Sequence, residues 1–599
     1  MFRLKEKTRL FIYDRQETVM KVFSVVSFVM ALLSIGLLLY FDGFDLSPGM
    51  RTLVLGTIKT ILAYFVLVFC LRWFFSIDRL TFLRRNWFEA FLMLLLVVDG
   101  FSVYILQRPM MESLFHSLGI RNFTPVYLLF IQCYIVVFAG LEIIRSNVDI
   151  GMVRIKPSLG LALSIGIITL VGAGLLMMPQ MTTGRNATFL EALFTSISAV
   201  SGTGLIVVDT ATFFTTKGHF VIMVLIQVGS LGLVSFSTFF LTYLAQGLSL
   251  RHQHQVSEFF TTDSKFRTEE LVRQIIFYTV FIDVLGAIVI FFLWDPAVPF
   301  KNLGDKMFVS MFHSVSAFCS AGFSTFSNGM YTESIRHSYL LHVAVFLLIF
   351  VGSLGYPTLH DMFGIRNVRD RLQFAWRKLR LDSQVSLYTT LFLVFFGAIM
   401  FYLLEAKGTL RGMDGGAAVI TSLFQSIQRT AGFNTVDIGA LNSGTLIVIC
   451  FLMFVGGSSG SVCGGIRTST FAIMCISAWN AVRGKNVMTI GHRQISSDMY
   501  NRVISIFFFA ISLCLFSTFL LTITEPGITF KALIFETISA FGTAGLTTGI
   551  TSSISDPGRW ILVFTMYAGR VGTLTLVLAL SAQNAKHHVK YPTAHIMVG

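Results

Sequence analysis

The sequence predicts an all-α, polytopic membrane protein. Three observations carry that expectation. The 599 residues are 54% hydrophobic and only 13% charged, where a soluble domain carries about 25% charged residues. Apolar runs of about 20 residues recur along the chain, the length a helix needs to cross a bilayer. Between them, a shorter segment of mixed polarity ending in glycine occurs four times. Disordered, collagen-like and soluble multidomain classes are excluded.

The spans follow in order. Four fall in the N-terminal quarter, at about Val22–Tyr40, Thr52–Phe74, Trp87–Leu106 and Pro125–Ile144. Eight more are expected at Ser158–Met178, Phe220–Ala245, Leu271–Trp294, Tyr339–Met362, Val385–Leu404, Leu446–Trp479 (interrupted), Val503–Ile523 and Trp560–Ser581. Basic residues collect in alternate connections: the N-terminal tail, Arg79 to Arg85, Arg145 to Lys156, Arg366 to Arg380 and Arg483 to Arg493. With twelve alternating spans these lie on one side, and the positive-inside rule makes it cytoplasmic, with both termini there. The net charge of +14 is thus topological, and no nucleic-acid partner is implied. Anionic membrane lipids suit the same faces. The seven cysteines form no C-x-x-C pair and read as small buried apolar residues.

The repeated segments are Glu191–Gly204, Met311–Gly322, Leu423–Gly432 and Phe535–Gly545. Each ends in a small residue, a glycine and an apolar residue, and the glycines lie 118, 110 and 113 residues apart. The third segment is two residues shorter between Phe424 and its glycine. All four fall on the non-cytoplasmic side and are too short to cross. Backbone that dips into a membrane must be shielded by protein or line a watery path. Four dips can therefore surround one axis, giving four helix–pore-loop–helix repeats around one central pore, preceded by four extra transmembrane helices. The expected domains are 1–150, then repeats 151–250, 251–380, 381–495 and 496–599.

Glycine permits positive φ, and rings of carbonyl oxygens can replace a cation's hydration shell. The expected selectivity filter comprises Gly202, Thr203 and Gly204, Ser320, Ala321 and Gly322, Thr430, Ala431 and Gly432, and Thr543, Ala544 and Gly545, with the ion held by the carbonyls of Thr203, Ala321, Ala431 and Ala544. Helix C-termini aimed at the axis favour a cation, and Asp209 and Asp437 would add negative charge at the outer mouth. The tenth span is too long to stay whole and holds five glycines at 456, 457, 460, 464 and 465. Gly456, Gly457, Gly460, Gly464 and Gly465 are expected to form a movable gate, with Arg570 of the last helix as its electrostatic neighbour. That stretch lacks a Lys-Ser/Thr ending and is no P-loop.

The runs Gly204-Leu-Ile-Val-Val-Asp209-Thr, Arg429-Thr-Ala-Gly432-Phe-Asn-Thr435 and Gly569-Arg570-Val-Gly572-Thr-Leu-Thr-Leu, with Gln227-Val-Gly-Ser-Leu-Gly232 and Val351-Gly-Ser-Leu-Gly-Tyr-Pro357, resemble the Trk/Ktr/HKT family of potassium transporters from Pro157 to about Ser581. The resemblance implies K⁺ as the transported ion, since the family's potassium pattern is a filter glycine in every repeat. It also implies a homodimer in a bacterial inner membrane, partnered by a cytosolic nucleotide-binding RCK-type regulatory subunit, with no cofactor in this chain. The four N-terminal helices depart from the family core. The fourth, Pro125–Ile144, has no arginine ladder, so a voltage sensor is not expected.

A cation-coupled solute symporter is the alternative. It would use Asp283, inside the seventh span, as a proton or cation relay, where a hydrogen-bonded packing site is the expected reading, and the broken tenth span, but it does not account for four dips on one side. No Ser/His/Asp or paired His/Glu set sits at membrane depth, so an enzyme is not expected. His252, His254, His587 and His588 lack ligand partners and are not read as a metal site. Lys59 and Asp99, in the second and third spans, either pair or each sit near an interface.

Overall fold

The computed structural model describes residues 157–231, 268–374, 379–484, 489–490, 493–494 and 497–572, with Thr575. In the N-terminal quarter it describes 33–41, 43–75, 79–85 and single residues or pairs between 26 and 98. The chain forms two compact units, 1–152 and 153–599. In the first, α1 (Pro48–Phe75) and α2 (Arg79–Arg85) are described. Val54, Ile58, Ile61, Leu62, Phe65 and Phe69 form the buried stripe of α1, the three-and-four spacing of an amphipathic helix. Of the third expected span only Ala90, Met93, Leu94, Val97 and Val98 are described; the fourth, with Asp99, Cys133 and the histidines at 252, 254, 587 and 588, lies outside the described residues.

Among its described residues the second unit is helical, with one hairpin of two-residue strands, β1 (Thr489–Ile490) and β2 (Arg493–Gln494). It holds α3 (Pro157–Leu176), α4 (Phe189–Ser201), the short α5 (Thr210–Phe213) and α6 (Thr216–Leu231). Next come α7 (Thr268–Leu293), α8 (Leu303–Phe318), α9 (Tyr339–Leu354), α10 (Tyr356–Phe363) and α11 (Ile365–Gln373). Then follow α12 (Leu381–Glu405), α13 (Gly415–Ile427), α14 (Ser443–Phe454), α15 (Thr468–Val482), α16 (Ser497–Thr524), α17 (Phe530–Gly542) and α18 (Asp556–Val571).

The long helices are inverted relative to soluble ones. On α7, Phe277, Phe281, Leu285, Ile288 and Phe292 are exposed, while Thr279 and Asp283 are buried. On α16, Phe508, Leu515, Phe516, Phe519 and Ile523 face outward, and Ser517 and Thr518 inward. An apolar outside and polar inside suits lipid as the solvent. Among the described residues five helices are long and apolar enough to span, at Pro48–Phe74, Leu159–Leu176, Arg273–Leu293, Leu381–Glu405 and Met499–Thr524.

Packing follows a fourfold cycle. The first helix of each repeat packs on its own short helix: α3 on α4, α7 on α8, α12 on α13, α16 on α17. The second helix packs on the short helix of the next repeat: α6 on α8, α9 on α13, α14 on α17, and α18 back on α4. The last contact closes the circle. In three repeats a serine fastens short helix to first helix: Ser196 Oγ donates to Thr169 O at 2.7 Å, Ser314 Oγ to Asp283 O at 2.7 Å and Ser426 Oγ to Val394 O at 2.6 Å. The space comes from Gly172, Gly286 and Gly397, where a Cβ would collide with those hydroxyls.

Two expected spans need correction. Tyr339–Met362 is not one helix: α9 and α10 meet at a 102° bend, with Gly355 between them at φ 76°. Trp560–Ser581 is interrupted too, because α18 ends at Val571 and Gly572 has φ 87°. The tenth span breaks as expected, into α14 and α15. Positive φ is incompatible with a continuing right-handed helix, so α9 and α18 stop part-way, whereas α14 ends where Val455 turns extended at φ −94° and ψ 96°.

Candidate functional site

The four glycine-ended segments meet one another. At Gly204 (φ 84°) the place a Cβ would occupy is taken by the carbonyl oxygen of Ala321. At Gly322 (φ 71°) it is taken by Ala431 O, and at Gly545 (φ 77°) by Thr203 O. At Gly432 (φ 70°) the Ala544 oxygen lies 2.7 Å from it. The relation runs from first repeat to second, third, fourth and back. Four carbonyls and four glycines thus form a closed ring. It lies at the C-terminal ends of α4, α8, α13 and α17, where helix dipoles are negative.

The turn that delivers these carbonyls is local chemistry. The residues at 202, 320 and 543 are all left-handed, with φ 66°, 53° and 49°. The next amide reaches back into the helix: Thr203 N to Ser198 O at 2.8 Å, Ala321 N to Ser316 O at 2.8 Å and Ala544 N to Ser539 O at 2.9 Å. This is a Schellman cap. The third segment, two residues shorter, uses a 3₁₀ turn at Gln428–Thr430 instead, and both Ala431 N and Gly432 N bond Gln428 O.

Behind the ring, one position differs in every repeat. The residue after Phe194, Phe312, Phe424 and Phe535 is Thr195, His313, Gln425 and Glu536. His313 Nε2 pairs with Ser324 Oγ at 3.0 Å. Gln425 Nε2 donates to Thr435 Oγ1 at 3.0 Å. Glu536 accepts from Thr547 and from Thr551, at 3.2 Å for the latter. Each strap ties the chain leaving the ring to its own helix. Thr195 instead bonds Glu191 O, and the first repeat carries a local link, Ser201 Oγ to Thr203 Oγ1 at 2.6 Å.

The glycine-rich stretch packs against the ring's neighbours in several repeats. Gly464 N donates to Thr543 Oγ1 at 2.9 Å, Ser458 N to Ser353 O at 2.9 Å and Tyr356 N to Gly460 O at 3.3 Å. Ser458 Oγ also bonds Leu354 O. The segment folds back on itself, with Gly456 N donating to Ile466 O at 2.9 Å. Gly457 and Gly464 have no room for side chains, being hemmed in by Cys463 and Thr543.

Three arginines hold it. Arg570 Nη1 donates to Val462 O, and Nη2 to Gly229 O at 2.8 Å. Arg429 Nη1 donates to Val455 O, and to Gly456 O at 3.1 Å. Arg467 Nη1 donates to Cys463 O at 2.8 Å. Arg570 is where the sequence placed it, beside the stretch, although in the last turn of α18 rather than mid-helix. Arg429 and Arg467 were missed. Arg429 is 1% exposed, and the argument that a charge at membrane depth needs a polar interior applies to it equally. Asp209 caps α5 through Ala211 N at 3.2 Å, and Asp437 accepts from Gly439 N at 2.9 Å, so both serve turns. Among the described residues no group of three or more His, Cys, Asp or Glu could hold a metal ion.

The sequence model of the TrkH family, described as cation transport protein, matches residues 166–588. The Ktr system potassium uptake protein B of Vibrio alginolyticus is 32% identical over 447 residues, 74% of this chain and 95% of that protein. Its namesake in Bacillus subtilis is 32% identical over 76% of this chain and all of that protein. The potassium/sodium uptake protein NtpJ of Enterococcus hirae is 32% identical over 74% of this chain and 98% of that protein. The crystal structure of the potassium transporter TrkH from Vibrio parahaemolyticus shares the fold, with a TM-score of 0.59 at 16% identity, covering 82% of this chain and 97% of that one.

Proposed function

The chain belongs to the TrkH cation transport protein family, a family of membrane transporters and not of enzymes, and from that premise we propose that it is the pore-forming subunit of a potassium uptake system. The ion crosses at the ring of Thr203, Ala321, Ala431 and Ala544 carbonyls. The observation that carries the reading is the closed cycle of glycine and carbonyl contacts among the four repeats. A ring of carbonyls can replace water around a dehydrated cation, and the potassium uptake named for the relatives supports K⁺ as that ion.

The segment 456–465 is the gate. Its backbone is held by bonds to several repeats and by three arginines, and release of those bonds clears the path on the side opposite the pore helices. Arg570 adds a positive charge beside the path while the segment is in place. The chain works as a homodimer in a bacterial inner membrane, with both termini cytoplasmic. A cytosolic nucleotide-binding ring docks on the basic faces at 366–380 and 483–493. Co-purification of that subunit, lost on charge reversal at Arg377 and Arg380, supports the docking, and retention argues against it.

The test is K⁺ or Rb⁺ flux into proteoliposomes holding the purified chain, with no sodium or proton gradient. Flux under those conditions supports a channel-like pore. Flux that appears only with a Na⁺ or H⁺ gradient replaces it with the coupled symporter.

A further inference from the structure

Asp283 lies part-way along α7 and is 1% exposed. Its Oδ2 accepts a 2.8 Å bond from Gln227 Nε2. Its Oδ1 is buried and unpartnered. From α6 come Gln227 and Ser230, from α8 Ser314, and from just after α8 the Cys319 thiol, which reaches Ser230 Oγ at 3.1 Å; α9 brings the apolar Leu348 against Gly286, one turn further along α7. None of these is a cation. Cys319 stands within electrostatic reach of Asp283, of Arg570 and of Cys463, but Arg570 donates to Gly229 O and Val462 O. An ionised carboxylate without a counter-charge is strongly disfavoured at such a site.

A small cavity, mostly apolar and not lined by Asp283 itself, lies one turn away along α7. Its volume is about 30 Å³, enough for one water, and it is lined by Ser230, Thr279, Ile282, Tyr356 and Val462 among others. Thr279 is one turn before Asp283 on α7. Tyr356 OH donates to Gln274 Oε1 at 2.8 Å, and Gln274 is half-buried beside exposed Arg273. Tyr278 also lines the cavity.

We propose that Asp283 is a proton-binding site, loaded from the membrane face opposite the pore helices through Gln274, Tyr356 and the cavity at Thr279. A hydronium ion gives its proton to the carboxylate: an O–H bond forms at Oδ1, one O–H bond of the hydronium breaks, and water leaves. Gln227 keeps Oδ2 as an acceptor and so directs the proton to Oδ1. The link to conduction rests on the gate reading above. Val462 both lines the cavity and accepts from Arg570. In this proposal the ionised carboxylate favours the arrangement in which Arg570 has left Val462, whereas protonated Asp283 leaves it in place. Flux therefore falls as pH drops on that face, by at most about tenfold per pH unit for a single proton.

Infrared difference spectra of the full chain in nanodiscs, titrated towards alkaline pH, test the site. A carboxylic C=O band that disappears on titration, is missing in Asp283→Asn and persists in Glu536→Gln supports it. No such band in the parent, or its retention in Asp283→Asn, overturns it, and Asp283→Glu, with a shifted band, guards against misfolding of the Asn variant. Flux in proteoliposomes at fixed voltage tests the link: an identical pH response in parent and Asp283→Asn overturns it. Absence of flux at every pH would instead count against the pore reading and leave the spectra to decide the proton site.

Discussion

A side chain at Gly204 has no free space, because Ala321 O already occupies the Cβ position and φ is 84°. The left-handed conformation alone costs a non-glycine residue about 1–2 kcal/mol, and the collision falls on a carbonyl of the ring. Gly204→Ser is expected to weaken discrimination against Na⁺, read as the K⁺/Na⁺ flux ratio, and an unchanged ratio at normal flux would remove Gly204 from the filter. Glu536 acts one layer back. Removing its carboxyl in Glu536→Ala takes the acceptor from the Thr547 hydroxyl and leaves Thr551 only its 2.8 Å bond to Thr547, at about 1–3 kcal/mol for a polar group left unpaired. Lower thermal stability and a lower K⁺/Na⁺ ratio are expected together, and retention of both would reduce the strap to packing. In the first turn of α4, Arg185 bonds both oxygens of Glu191, at 2.9 and 2.6 Å, and holds that carboxyl down to about 2. A lowered carboxyl stabilises above its unfolded pKa, so this contribution is present at neutral pH and fades below about pH 4. Melting temperature against pH should show that acid loss in the parent and a smaller one in Arg185→Ala.

Among the elements, the broken second helices matter most. Gly355 turns α9 into α10, and a Cβ there would meet Ser461 N at 2.7 Å and Gly460 C at 2.8 Å. The bend in the second repeat is therefore shaped to the glycine-rich segment of the third. Arg429 secures the start of that segment from within its own repeat. Arg429→Ala strips two carbonyls, Val455 O and Gly456 O, of their donor, so the segment is expected to leave its place more often. Raised Rb⁺ flux with an unchanged K⁺/Na⁺ ratio is the expected result, whereas lost flux in a folded protein would make Arg429 a support of the ring.

At the scale of the whole molecule, the circle of helix contacts closes only when α18 returns to α4, and Tyr567 OH reaches Ala162 O at 2.7 Å across the same seam. One chain then suffices for one ring. Deleting residues 458–463 should raise K⁺ flux several-fold while leaving the K⁺/Na⁺ ratio intact, because the ring is built from other segments. A folded variant with unchanged or abolished flux would make the segment a structural break. Replacing Arg570 by a small neutral residue should raise flux in part.

The sequence by itself determined the membrane class, the four glycine-ended segments and the break at 456–465. Each rests on local patterning: apolar length, the need of left-handed backbone for glycine, and glycine's weak helix propensity. Only the tertiary structure decided which oxygen faces which glycine, that Gly355 and Gly572 also end helices, and that Arg429 and Arg467 share the work of Arg570. The partners of those arginines are backbone carbonyls, which every residue carries and no sequence pattern marks. Their positions, like the strap from Glu536 to Thr547 and the bare oxygen of Asp283, follow from packing separate repeats around one axis.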